Sequence, residues 1–420
     1  MKNNSRVIAW NLLKKVFIHN NFSNILLNEI SKQDLEDKFK NLIFAIVHGT
    51  ITYKIYLQHL SDKLIDSKKT PIEIQIIIWM SIYQLRFLQA IPRYAILNEA
   101  VNMAKSVNPK FAGFVNACLQ KILREENTFY NIDIKSPTLK FCIENSFPHE
   151  LYLKILADYG EGIAQKVVEN SLTKPLISFR VNTLKISSDK FWNNYHEQLA
   201  LVKTKVTDCF TTDQSIVKTD IFKNGLITIQ DQASILVGNT LSPKLNSRVL
   251  DMCSAPGGKL THLAAIMNNT GKIIGYEIAD NKFKYIQENI LRLGVTNVEL
   301  ICSDATKIND SQGFDYILLD APCSGFGVLK RKPEIKNNFN IKSVNEITII
   351  QKQLLVTAFA NLKTQGTLVY STCTINKEEN QKQIEEFIKH YPNMTIISEQ
   401  QLFGFEDNTD GFYICKMQKQ

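Results

Sequence analysis

Two cysteines stand where short apolar runs give way to loops: Cys323 in LLDAPCSGFG (residues 318–327) and Cys373 in YSTCTINKEEN (residues 370–380), with Asp320 just ahead of the first. One buried cysteine is most often a small core group. Two of them at neighbouring strand ends, beside a carboxylate, suit methylation of carbon 5 of a pyrimidine. That carbon is a poor nucleophile, so a thiolate first adds to carbon 6 and pushes electrons toward carbon 5. A carboxyl group bonded to the ring N3 and exocyclic amine of cytosine favours the addition, and Asp320 is the candidate for it. After transfer a base must take the proton from carbon 5 so that the thiol can leave. A free thiol has a pKa of about 8.5. The attacking sulfur therefore needs an electropositive setting, for which Lys259 and the run Lys330, Arg331, Lys332 are candidates. That run fits phosphate contacts or a solvated face equally well, and the spacing alone does not say which cysteine attacks.

These residues need a sheet to hold them. SRVLDMC, GKIIGYEI, VELICSDA, FDYILLDAP and GTLVYSTC are near-continuous apolar runs, as expected of strands covered on both faces. Helical stretches separate most of them, among them GGKLTHLAAIMNN and NKFKYIQENILRLG, so a parallel, doubly wound sheet is expected, with ligands at the carboxyl ends of its strands. The first strand ends in DMCSAPGGKLTH, where Gly257 and Gly258 open a helix and let backbone approach a ligand. This is neither G-x-G-x-x-G nor a P-loop, because Leu260 follows Lys259, and a tight turn is an equal reading of the two glycines. The second strand ends at Glu277, placed to bond the hydroxyls of a ribose. The third ends at Asp304, placed to accept from an adenine amine. Together the three point to an adenosine-containing cofactor.

The chain of 420 residues is 44% hydrophobic and 21% charged, ordinary for a globular protein of two or three domains. Its eight cysteines are scattered without a C-x-x-C pair or a neighbouring histidine cluster, so no metal is expected, and a reducing cytoplasm is. The most apolar stretch, PIEIQIIIWMSIYQLRFL, contains Glu73, Gln75, Gln84 and Arg86 and is expected to be a buried helix rather than a membrane span, begun by Thr70 as cap and Pro71 in the first turn. Up to Tyr130 there are 17 Lys and Arg against 10 Asp and Glu, while the remainder is near neutral. A basic helical domain joined to a near-neutral one suggests docking to a polyanion such as nucleic acid. The expected organisation is an all-α domain over residues 1–127, a mixed α/β linker over 128–245 and a Rossmann-like α/β domain over 246–420.

At these motifs the chain resembles the RsmB (Sun/Fmu) family of bacterial 16S ribosomal RNA cytosine-5 methyltransferases, along almost its whole length. DMCSAPGGKLTH resembles the family's cofactor motif, DAPCSGFGVLKRKPEIK and YSTCTINKEEN its two cysteine motifs, and FRVNTLK, from Phe179, a motif ahead of the catalytic domain. AILNEAVNMAKSV and FAGFVNACLQKILRE resemble a NusB-like RNA-binding domain. The resemblance implies a class I methyltransferase fold with S-adenosylmethionine as cofactor. It implies Cys373 as nucleophile, Cys323 as the residue assisting product release, and Asp320 as the residue that positions and activates the base. It places Cys253, Ser254, Ala255, Pro256, Gly257, Gly258, Lys259, Glu277, Asp304 and Asp320 in the cofactor pocket. The substrate would be 16S rRNA, naked or in an early assembly particle, met by a cytoplasmic monomer. Ser254, Leu260 and Phe326 depart from the residues usual in these motifs, and Phe326 bears on the fit of the target base. An RNA-binding scaffold without catalysis is the other reading, against which the intact Cys323, Cys373, Asp320 and Glu277 speak. A dehydrogenase is disfavoured by the missing G-x-G-x-x-G.

Overall fold

The computed structural model describes residues 4–406 and 408–420, which fall into two compact units. One runs to Thr173 and takes up Leu329–Phe339; the other holds Lys174–Val328 and Asn340–Gln420.

The first unit is helical, built around Ile72–Phe87, in which every residue from Ile74 to Gln84 is buried. Ser5–His19, Asp37–Thr52, Lys54–Ser61 and Arg93–Val107 pack against it. Polar side chains of this helix find partners inside the unit: Trp79 Nε1 donates to Ser61 Oγ (3.0 Å), and Gln84 accepts from Arg6 Nε (2.8 Å). The helix starts one residue later than expected. Pro71, with ψ 142°, is its extended cap and makes no side-chain cap bond; Gln75 Nε2 instead reaches back to the carbonyls of Ser67 and Thr70, each at 2.8 Å. Lys110–Arg124 shows the expected one-faced pattern, burying Val115, Cys118, Leu119 and Ile122. No helix among the described residues is long and apolar enough to cross a membrane.

The segment Leu329–Phe339 contains the charge run that a solvated face would explain, yet Lys330, Glu334 and Lys336 are buried. Glu334 accepts from Ser23 N (2.8 Å) and Ser23 Oγ (3.0 Å), Lys336 Nζ donates to Thr52 O (3.3 Å), and Asn337 Nδ2 donates to Ile51 O (2.9 Å). Burial pushes the Lys336 ammonium down to about 7.

The second unit contains two sheets. In the smaller, β1 (Ile177–Val181), β2 (Val202–Lys203), β3 (Cys209–Thr212) and β4 (Ile227–Ile229) run antiparallel in the order β2-β3-β1-β4. The larger is built from β5 (Arg248–Asp251), β6 (Lys272–Glu277), β7 (Val298–Cys302), β8 (Phe314–Asp320), β9 (Leu362–Thr372), β10 (Met394–Leu402) and β11 (Phe412–Lys419). Its order is β10-β11-β9-β8-β5-β6-β7, with β9 through β7 parallel. Leu250, Ile273, Ile317, Leu318, Leu368 and Val369 fill its interior, as their unbroken apolar runs require. The strand order reverses between β5 and β8, which opens a crevice at their carboxyl ends. The doubly wound parallel sheet is thus present, extended by an antiparallel hairpin, β10 and β11, that the apolar runs did not announce. The side chains from Thr395 to Gln400 are exposed, so β10 has no alternation to read.

Candidate active site

Asp320 closes β8, Ser371 lies opposite it in β9, and the two cysteines follow within three positions of each strand end. That register brings the sulfurs of Cys323 and Cys373 to 3.4 Å, although 50 positions separate them in the chain. Asp320 is held from both sides: its Oδ1 accepts from Ser371 Oγ (2.8 Å) and its Oδ2 from Lys259 Nζ (2.7 Å). The Lys259 side chain is 14% exposed. Burial pulls the Lys259 ammonium down, but Asp320 outweighs it and Cys373 adds to the attraction, so its pKa lies above the usual value. Cys323 has the opposite surroundings. The hydrogen bond to Cys373, burial and the charges of Cys373, Glu379 and Asp320 raise its thiol well above the ordinary range. Lys259 thus interacts with Cys373, while the bond between the thiols, burial and the nearby negative charges act on Cys323.

A cavity of about 320 Å³ opens beside the pair and spans the ends of β5 to β8. Of the residues expected around a cofactor, Cys253, Ala255, Glu277, Asp304 and Asp320 line it, and so do Cys323 and Cys373. Ser254, Pro256, Gly257, Gly258 and Lys259 build the loop instead of lining the cavity. Ser254 is turned beneath it, donating N–H to Tyr276 O (2.9 Å) and Oγ–H to Asp251 O (3.1 Å). Asn289 Nδ2 holds the Pro256 carbonyl at 2.9 Å. Gly257 caps the helix Gly258–Ile266 at φ +98°, a conformation that costs a side-chain-bearing residue. Lys259 points to Asp320, and burial and the Asp251 charge push the Cys253 thiol up, so Cys253 does not read as a second thiolate site.

Glu277 is nearly buried and accepts from Ala279 N (3.0 Å) and Ala255 N (3.3 Å), which ties the first loop to the second strand end. Asp304 caps the short turn Ala305–Lys307, accepting from Thr306 N (2.9 Å) and Oγ1 (2.7 Å); those bonds hold its carboxyl below the usual range. Lys330 is buried in the helical unit, and Phe326 is buried as well. Sequence reasoning missed Ile350 and Leu354, which line the cavity from the helix Ile341–Asn361, and Glu379, which accepts hydrogen bonds from Ser324. Glu379 lay inside a motif already noted, but KEEN reads as helix; the helix begins only at Gln381. Among the described residues no group of His, Cys, Asp and Glu is placed to hold a metal.

The FRVNTLK motif is structural in its contacts. Buried Arg180 donates to Gln230 Oε1 (2.9 Å) and Thr261 Oγ1 (3.3 Å), Asn182 Nδ2 bonds the carbonyls of Gly225 and Leu293 (2.8 Å each), and Lys185 Nζ bonds those of Asn224 (2.8 Å) and Arg292 (2.7 Å).

The sequence profile of 16S rRNA methyltransferase RsmB/F matches residues 238–418, and that of the NusB family matches residues 3–124. The probable ribosomal RNA small subunit methyltransferase B of Bacillus subtilis is 33% identical over 100% of this chain and 99% of its own. The chain belongs to the RsmB/F methyltransferase family. Ribosomal RNA small subunit methyltransferase B of Vibrio vulnificus is 29% identical, covering 99% of this chain and 100% of its own. Among solved structures, PH0851 shares the fold at a TM-score of 0.86 and 22% identity, over 98% of this chain and 97% of that one. A methyltransferase homolog from Pyrococcus horikoshii is 29% identical at a TM-score of 0.62, over 68% of this chain and 100% of that one. The helical unit carries the NusB domain, the Rossmann-like sheet carries the methyltransferase domain, and the cofactor of this RsmB/F member is S-adenosylmethionine. The cavity fits such a molecule: it lies at the reversal of strand order, has a size usual for small-ligand pockets, and offers acids at one end and the sulfurs at the other.

One backbone contact sets the geometry of the RsmB/F cysteine loop. Gly327 N donates to Cys373 O (3.0 Å), Gly411 N donates to Gly327 O (2.8 Å), and a Cβ on Gly327 would lie 1.8 Å from the Gly411 carbonyl oxygen. Gly327→Ala is expected to cost about 1–3 kcal/mol by overpacking. In a unit of this size each kcal/mol lowers the melting temperature by roughly 2–4 °C. Thermal melts check the loss, and methyl transfer by the variant should fall with it.

Proposed function

We propose that this protein transfers a methyl group to carbon 5 of a cytosine in 16S ribosomal RNA through a covalent adduct on Cys373. The observation that carries the reading is the thiol pair, 3.4 Å apart at the rim of the cofactor cavity. Lys259 favours a thiolate on Cys373, which adds to carbon 6 of the flipped cytosine. Asp320, fixed by Lys259 and Ser371, accepts a hydrogen bond from the exocyclic amine of the base and, with a proton shared with N3, favours the addition that raises electron density at carbon 5. S-adenosylmethionine in the cavity supplies the electrophilic methyl. A base then removes the carbon 5 proton, the electrons re-form the C5–C6 double bond, and the C6–S bond breaks. The departing Cys373 sulfur accepts a hydrogen bond from the Cys323 S–H, which that hydrogen bond, burial and the neighbouring charges keep protonated. Cys253, Ala255, Glu277 and Asp304 hold the cofactor. The names of the relatives support small-subunit rRNA as substrate. No disulfide joins the eight cysteines; a cytoplasmic, monomeric enzyme is proposed.

Incubation with unmodified 16S rRNA and methyl-labelled S-adenosylmethionine, followed by nucleoside analysis, is expected to place the label in 5-methylcytidine. Label in any other nucleoside, or none with folded protein, rejects the reading. Offering naked rRNA beside an early assembly particle in the same assay ranks the two substrates.

The helical unit is proposed to supply sequence-independent attraction. Lys15, Lys32, Lys105, Lys110 and Arg124 are exposed on it. RNA affinity is therefore expected to drop about tenfold or more between roughly 50 and 200 mM salt. Filter binding across that range checks it, and a flat response counts against phosphate docking.

A further inference from the structure

Glu379 is fully buried and takes no part in making or breaking bonds in the chemistry above, yet it gathers donors from both cysteine loops. One oxygen, Oε2, accepts from Ser324 N (2.8 Å) and Gln351 Nε2 (3.2 Å); the other, Oε1, accepts from Ser324 Oγ and Asn376 Nδ2 (2.7 Å). Ser324 follows Cys323 directly. Because its hydroxyl proton goes to Glu379, the 2.8 Å contact between Ser324 Oγ and Thr374 Oγ1 must be donated by Thr374, the residue after Cys373. Gln351 is oriented too: its Oε1 accepts from Gln383 Nε2 (3.1 Å), and its Nε2 also reaches Pro322 O (2.8 Å), the carbonyl before Cys323. The carboxylate therefore sits at the hub of a network that grips the residues flanking one cysteine and the residue following the other.

We propose that Glu379 is a positioning residue of this centre: it holds the Cys323 loop against the strand end that carries Cys373, and its effect falls on product release rather than on adduct formation. The proposal rests on the two-cysteine reading. Cys373 directly follows the last residue of β9, whereas Cys323 lies three residues past β8 on a loop that needs a separate anchor. A carboxylate suits this place because it accepts four hydrogen bonds and donates none. A glutamine there would turn an amide N–H₂ toward groups that themselves donate to this position. Without the anchor the Cys323 S–H drifts from the sulfur that must leave, while Cys373, Lys259 and Asp320 keep their own partners.

Two measurements on the full chain test this with E379A, E379Q and the milder S324A, which removes only the bridging hydroxyl. The first needs no RNA: diamide oxidises the two thiols to a disulfide, and mass spectrometry follows the Cys323–Cys373 link. A misplacement of about 1 Å can cost about 10²-fold in a reaction that depends on orientation. Linkage is accordingly expected to slow by about tenfold to 10²-fold in E379A, less in E379Q and least in S324A. The second follows the RNA–protein adduct through a single turnover on denaturing gels. It should form at close to the wild-type rate in E379Q and S324A and outlive the wild-type adduct. Slowed linkage together with a longer-lived adduct supports the proposal. Linkage at the wild-type rate in E379A and E379Q overturns it, as does equal slowing of adduct formation and release. If Cys323→Ala turns over like the wild type with no lasting adduct, the two-cysteine reading fails; the oxidation rates still decide whether Glu379 holds the loop.

Discussion

Cys373→Ser is expected to abolish methyl transfer, whereas Cys323→Ala is expected to leave the RNA attached to the protein. The two sulfurs are 3.4 Å apart, so proximity to the base does not separate them; the proposed roles rest on the family resemblance and on the Lys259 ammonium, which interacts with Cys373. Cys373 has the Lys259 ammonium nearby, and Cys323 has the carboxylates of Glu379 and Asp320. A serine at 373 is far harder to ionise than a thiol, and loss of a nucleophile costs about 10⁴- to 10⁶-fold. Removing the Cys323 thiol takes away the hydrogen bond to the departing sulfur but leaves the attacking one in place. The adduct should therefore accumulate on denaturing gels. The double variant, lacking both thiols, should show none. Exchanged phenotypes, with trapping in the Cys373 variant, would reverse the assignment of roles.

Lys259→Met is the second large effect, and its signature is a changed pH dependence. Lys259 gains from a thiolate on Cys373, and by reciprocity the ammonium lowers the free energy of that thiolate. Without it, ionisation of Cys373 requires more alkaline solution, so the rate of adduct formation should be depressed at neutral pH and climb as the pH rises. The same change strips Asp320 of its ion-pair partner, leaving Ser371 alone to hold it. Breaking a buried pair costs about 3–5 kcal/mol of stability at the upper end, and the 25% exposure of Asp320 reduces that figure here. Turnover near neutrality is expected to fall by about 10²- to 10⁴-fold, the range of a lost acid–base or electrostatic group. Single-turnover adduct formation across pH checks the sign. A profile that moves toward acid, or does not move, refutes the role given to Lys259.

What the sequence discloses here follows from how local each signal is. The strands β5, β6, β8 and β9 announce themselves as apolar runs because both faces are covered, β7 reads alike although it is an edge strand and buries no residue, and the residues at their ends follow from chain order alone. Cys323 and Cys373 were legible as a pair for that reason: each stands just past a readable strand. Asp304 was legible as a strand-end acid, but its Thr306 cap depends on a short turn with no periodicity. The hairpin partner β10 escaped notice because an exposed strand carries no apolar face. Glu379 escaped notice because its meaning lies in Ser324 and Gln351, 55 and 28 positions away. The charged run after Cys323 was illegible for a similar reason. Glu334 finds Ser23 across 311 positions, and no window of sequence reveals that a lysine or glutamate will be enclosed.

That segment has a consequence for the order in which the protein is made. The helical unit reaches Thr173 early in synthesis, but Leu329–Phe339 emerges only after most of the sheet has been translated. Until then Ser23, Ile51 and Thr52 face the ribosome's surroundings without the side chains that later cover them. Maturation of the amino-terminal helices is thereby tied to the arrival of a peptide encoded far downstream, and a nascent chain halted before codon 339 carries an unfinished first unit.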